Sequence, residues 1–91
     1  MKGKRTLYEI YWEILTFCRS PRTFTSIIHR CSLNSKIGEE HIDFLLFKGY
    51  LRRFEEEERS LYRTTDKADA FLNAFKEIYL ELYNKAPRFK L

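Results

Sequence analysis

The chain has little that interrupts or staples a polypeptide. Three Gly and two Pro in 91 residues exclude collagen-like and low-complexity architectures. Two cysteines, Cys18 and Cys31, are too few for a disulfide scaffold. Such thiols are small buried hydrophobes in an intracellular domain, and a bond between them is left open. No apolar run approaches the ~20 residues that cross a bilayer. Glu9 and Glu13 interrupt the apolar stretch behind the basic start Met1-Lys2-Gly3-Lys4-Arg5, which argues against a signal peptide. A cytoplasmic location and no membrane partner are expected. A Gly-rich phosphate loop, a nucleophile elbow and a set pair of carboxylates are also missing. No catalytic residue, cofactor or small-molecule ligand is therefore assigned, and the chain is expected not to be an enzyme. His29 and Cys31 lie two residues apart, on different sides of a helix, and no Cys-x-x-Cys pair supports them, so no metal is expected.

What is present is globular. Hydrophobic residues make up 44% and aromatics 16%, enough for one domain with a modest core. Lys+Arg 17 against Asp+Glu 13 gives a net charge of +4, which permits an anionic partner without demanding one.

The most informative stretch runs from Leu33 to Leu51. Asn34-Ser35 suits a helix cap, a helical run follows over Ser35 to Lys48, and Gly49 supplies a left-handed stop. Upstream, the apolar spacing from Thr6 to Arg19 predicts a first helix with two apolar ridges, ended by Ser20-Pro21. Arg22 to Phe24 is read as a minor strand, and Thr25 as the cap of a brief helix through Cys31. Ser32-Leu33-Asn34 is then a turn, with Leu33 pinning it to the core. Downstream, Leu51 to Phe54 and Leu61 to Thr64 read as strands around a turn at Glu55 to Ser60. Thr65-Asp66 is read as the cap of a last helix reaching Asn84. Along it Phe71, Phe75, Ile78 and Leu82 alternate four and three apart, as coiled-coil seam positions do, and Leu72 and Tyr79 widen the stripe. Pro87 forbids continuation into a basic tail.

The fold class is thus mainly α with a small β-hairpin, in the order helix, helix, helix, hairpin, long helix. That order, with LN at 33–34, the run from Ile42 through KGYL at 48–51, and YRTTDKA at 62–68, resembles the small archaeal winged-helix DNA-binding proteins that dimerise through a C-terminal coiled coil. YRTTDKA is similar to the Tyr-x-Leu-Thr-Glu-Lys-Gly element leading from wing to final helix, with Thr64 in place of Leu and Ala68 in place of Gly. The resemblance implies a homodimer, double-stranded DNA as partner, and a role in transcription or chromatin. It divides the chain into a basic N-terminal arm (1–5), a winged helix-turn-helix (6–65), a dimerisation helix (66–84) and a basic tail (85–91).

On this reading Asn34, Ser35 and Lys36, at the start of the third helix, face base edges. Arg52, Arg53, Arg59 and Arg63 of the wing hold phosphates, as do Lys2, Lys4 and Arg5 of the arm. Tyr8, Trp12, Phe71, Phe75, Ile78, Tyr79 and Leu82 form the dimer interface. Glu39, Glu40 and Asp43 on the third helix, with Glu55 to Glu58 at the wing tip, oppose a phosphate backbone. They keep a second reading open, a protein-interaction module whose acidic helix and wing meet a basic protein.

Overall fold

Helix ends are fixed by side chains that satisfy the free backbone N–H groups of a first turn. In the computed structural model, which describes residues 5–84, Thr6 opens α1 (Leu7–Phe17) with a reciprocal cap. The Thr6 hydroxyl accepts from the Glu9 N–H at 3.1 Å and the Glu9 carboxylate accepts from the Thr6 N–H at 2.7 Å. Helix α2 (Phe24–Arg30) is capped by Thr23, whose hydroxyl accepts from the Ser26 N–H. Thr25, expected as that cap, lies inside the helix instead. The minor strand expected over Arg22 to Phe24 is only a bridge: Arg22 exchanges both backbone hydrogen bonds with Tyr62, so the chain leaves the sheet at Thr23 and Phe24 already begins the helix.

Helix α3 (Ser35–Lys48) begins and ends where the residues demand. The Asn34 side chain accepts from the Ile37 N–H at 2.8 Å, and Gly49 stops the helix with φ +80°. Strands β1 (Leu51–Glu56) and β2 (Arg59–Thr64) pair antiparallel, Leu51 opposite Thr64 and Glu56 opposite Arg59. The turn is shorter than the six residues expected: only Glu57 and Glu58 link the strands, both at positive φ (52° and 62°). Left-handed residues at both turn positions match the twist of the strands.

A 3-10 turn (Asp66–Ala68) leads into α4 (Asp69–Tyr83). Thr65 makes no side-chain cap here. Its hydroxyl donates instead to the Gly49 carbonyl at 2.6 Å, tying the entry of α4 to the exit of α3.

The core gathers Ile14, Leu15 and Cys18 of α1, Ile27 and Cys31 at the end of α2, Ile42 and Leu45 of α3, then Leu51, Tyr62, Ala68 and Leu72. Leu33 packs against it, as expected. Both thiols are free and buried; burial pushes Cys18 up to about 12 and Cys31 up to about 11. No helix among the described residues is long and apolar enough to cross a membrane.

Candidate nucleic-acid interface

Helices α2 and α3 meet closely because Gly38 has no side chain; a Cβ there would lie 2.3 Å from Ile28 Cγ2. That contact holds α3 against α2 while Ser35, Lys36, Glu39, Glu40 and Asp43 remain exposed. Asn34 is exposed too, but its Oδ1 accepts from Ile37. Bidentate pairing with adenine uses that oxygen as acceptor and one amide hydrogen as donor, so while its oxygen caps the helix, Asn34 has its NH2 group left to donate.

The hairpin register sorts the wing arginines by face. Side chains alternate along a strand, and directly opposed residues share a face. Arg53 is opposite Tyr62, and Arg52 is opposite Arg63. On the side facing α3, Arg53 and Tyr62 line an open groove with Phe24, Ser35, Glu39, Ile42 and Asp43. The Tyr62 side chain beside it first, then Glu55 and Asp43 nearby, holds the Arg53 guanidinium above its usual range.

On the other face Arg52 and Arg63 stand side by side, with the Arg52 guanidinium 5.0 Å from the centre of the Phe54 ring. Like charges directly opposed on a strand pair repel, so this pair gains from an anion between or above it. Arg59 faces Glu56 near the tip, and the Ser60 hydroxyl donates to Glu55 at 2.6 Å. All four arginines are exposed.

Arg5 has a different place. Its guanidinium pairs with Glu13 and donates to the Cys31 carbonyl at 2.7 Å, which turns it into the fold and away from solvent. Lys2 and Lys4 lie outside the described residues, as do Lys85, Pro87, Arg88 and Lys90. Those five basic residues matter to the field: within residues 5–84 twelve Lys and Arg stand against all 13 acids. The body is nearly neutral, so attraction to a polyanion rests on local placement and on the terminal segments.

Two features were not anticipated from the sequence. Glu13 is buried beside Arg5 and Cys31; a carboxylate between Trp12 and Ile14 in a two-ridged helix was the available signal. Arg22 lies 4.1 Å from the centre of the Phe17 ring and donates from Nε to the Phe17 carbonyl. Nothing local in the sequence pointed to that.

The expected seam divides in two. Phe71, Phe75 and Tyr79 are half-buried and meet ring to ring in series, with Phe71 stacked on Tyr50 and Phe75 tilted against Trp12 at 5.4 Å. Leu72 belongs to the core. Tyr8, Ile78 and Leu82 are exposed, and with the aromatic row they line an apolar groove between α1 and α4.

A family model for the winged helix-turn-helix matches residues 4–82. The chain belongs to that family. No functionally curated protein matches it by sequence. Among solved structures, this winged helix superposes on Sso10a-2, a DNA-binding protein from Sulfolobus solfataricus. The TM-score is 0.73 at 26% identity, covering 88% of this chain and 87% of that one. BldR, a transcriptional regulator from the same organism, gives 0.73 at 22% identity, covering 82% of this chain and 57% of its own. MepR, a transcription regulator of the Staphylococcus aureus multidrug efflux pump MepA, gives 0.73 at 15%, covering 87% and 61%. The last two share the fold alone, and this chain spans less than two thirds of each.

Proposed function

We propose that this winged helix binds double-stranded DNA as a homodimer and acts as a transcriptional regulator. The observation that carries the reading is the Arg52–Arg63 pair, two cations held side by side on a wing next to a helix whose first turns are open to solvent. Ser35 and Lys36 meet base edges in the major groove, and Asn34 adds an amide donor at the rim. Arg52, Arg63 and Arg59 meet phosphates; Arg53 joins them once its side chain turns from Tyr62 to the backbone. Sso10a-2, similar over nearly the full length of both chains, is itself a DNA-binding protein.

The partner copy packs on the α1–α4 groove. Tyr8, Ile78 and Leu82 supply exposed apolar surface, and Phe71, Phe75 and Tyr79 form the wall behind them, with Trp12 against Phe75. An isologous, antiparallel pairing of the two α4 helices buries both sets. Each large apolar side chain so covered contributes ~1.5–3 kcal/mol. The basic-protein reading of the acidic face has no observation of its own in its favour.

The test is the salt dependence of duplex binding. Each phosphate contact contributes about 0.9 to the slope of log K against log salt, so Arg52→Ala with Arg63→Ala lowers that slope by about 1.8. An unchanged slope contradicts a role for the wing pair, and a monomer at tens of micromolar by light scattering contradicts the dimer.

A further inference from the structure

Charge is unevenly placed along this chain. Residues 14–38, which hold the exit of α1, all of α2 and the first turn of α3, carry Arg19, Arg22, Arg30 and Lys36 and not one Asp or Glu. The other eight Lys and Arg of the described residues stand among all 13 acids. On the wing, Glu55 to Glu58 equal the four arginines in number, and on the open face of α3 Lys36 is followed by Glu39, Glu40 and Asp43. A polyanion drawn to the body is therefore drawn to the acid-free stretch. Within it two guanidiniums gather on one ring: Arg22 lies 4.1 Å and Arg30 5.8 Å from the centre of Phe17. Arg22 is held twice, its backbone paired with Tyr62 and its Nε donating to the Phe17 carbonyl at 2.9 Å. Arg30 is exposed in the last turn of α2. The one ion pair among the described residues is Arg5–Glu13. Glu13, whose field Arg30 shares, is buried and already held by Arg5, so neither arginine on Phe17 is neutralised by a partner. Phe24, two residues after Arg22, lines the same groove as Ser35, which puts the start of α2 beside the first turn of α3.

We propose that Arg22 and Arg30, held on Phe17, form a second phosphate clamp, which grips the DNA backbone on the α2 side of the groove that α3 enters. The proposal rests on the duplex-binding reading above and adds to it a contact independent of the wing. The two guanidinium centres are no further apart than their two ring distances taken together, a span of about three successive phosphates on one strand. Arginine presents a planar fork that takes two phosphate oxygens at once, and its flat face stacks on an aromatic ring while it does so. Phe17 is thus a positioning residue. With the ring beside them the two long side chains are already ordered, and they lose less freedom when phosphate binds.

The experiment measures affinity for a random duplex from about 50 to 200 mM salt for wild type, Arg22→Gln with Arg30→Gln, Phe17→Leu, and the three changes together. Losing both arginines lowers the slope of log K against log salt by about 1.8, at about 0.9 per phosphate contact. Phe17→Leu keeps both charges and an apolar side chain, so it leaves the slope in place and weakens binding about two- to fivefold. In the background without the arginines it has no further effect. Equal weakening in both backgrounds means that Phe17 acts through the fold alone, and an unmoved slope means that the arginines touch no phosphate; either result overturns the proposal. Lys76→Gln on α4 removes one charge outside the clamp and leaves the slope unchanged. A fall there as large as that of Arg30→Gln would show that the slope follows net charge alone, which also overturns it. Should Arg22→Gln fail to fold, Arg30→Gln carries the comparison, with a fall of about 0.9. A wild type that binds no duplex at the lowest salt overturns the duplex reading and the clamp with it. A wild type that binds, with a slope indifferent to Arg22 and Arg30, overturns the clamp alone.

Discussion

Gly38 and Ile28 set the distance between the two helices of the helix-turn-helix. With 2.3 Å between a built Cβ and Ile28 Cγ2, even alanine forces α3 away from α2 or Ile28 out of its rotamer. Such overpacking costs about 1–3 kcal/mol. Gly38→Ala should therefore lower the melting temperature clearly. Ile28→Ala opens the space, so the double variant should be less destabilised than the two single losses combined, by about 0.5–3 kcal/mol. Additive losses in denaturant melts would show that the two residues do not meet.

The wing turn stores strain. Glu57 and Glu58 both sit in the left-handed region, where an ordinary side chain costs roughly 1–2 kcal/mol and Asn or Gly much less. Glu57→Asn with Glu58→Gly should stabilise the domain by about 1 kcal/mol or more, a rise of about 4–8 °C per kcal/mol for a domain of this size. A thermal melt that fails to rise contradicts the turn geometry.

Both cysteines should be inert in the folded protein. The thiolate is the reactive form, and burial first, with Cys31 beside Cys18 and Glu13 beside Cys31 adding to it, pushes Cys18 up to about 12 and Cys31 up to about 11. Alkylation at pH 8, followed by mass spectrometry, should label neither while the chain is folded and both in denaturant. Rapid labelling of either thiol in the native state would place it at the surface.

Stability should also respond to pH through Glu13. Burial raises its carboxyl above the ordinary 4.5, against the lowering effect of Arg5. The folded state thus holds a proton that the unfolded state releases. That contribution is fully present below the unfolded value and is lost as pH rises through the raised folded value. Glu13→Gln removes it, so the melting temperature of wild type relative to this variant should fall across that window and level off above it. A difference independent of pH means that Glu13 titrates alike in both states.

How much of this was legible depends on whether a residue acts locally. Asn34 and Gly49 bound α3 at the residues expected, because a cap and a left-handed stop are decided within four residues. The hairpin strands were legible from their alternation, whereas the minor strand read over Arg22 to Phe24 shrinks to a bridge at Arg22, because Thr23 caps α2 and Phe24 opens it. The cap of α2 was read two residues late, since Thr23 and Thr25 are equivalent until the pairing of Arg22 with Tyr62 chooses between them. The tight turn was missed because Glu57-Glu58 is not a turn sequence; the strand register imposes it. Thr65 looked like a cap and instead bonds Gly49, sixteen residues away. At the site, exposure of Ser35, Lys36 and the wing arginines followed from periodicity. The diversion of Arg5 into the fold did not, because its partner Glu13 is set by tertiary burial.

The acidic side of α3 tests the central claim most directly. Glu39, Glu40 and Asp43 follow Ser35 and Lys36 along the exposed face, and each carboxylate near a phosphate opposes binding over a screening length of about 8–10 Å. With α3 in the major groove, these acids lower affinity for random sequence and leave a favourable site to hold the protein. The measurement is affinity for a random duplex at one low salt concentration, for wild type, Glu39→Gln with Glu40→Gln, and Lys36→Ala. The account predicts that the Gln pair binds more tightly than wild type and Lys36→Ala less tightly. No binding by any of the three, with the proteins folded, or a Gln pair that binds no better than wild type, would contradict it.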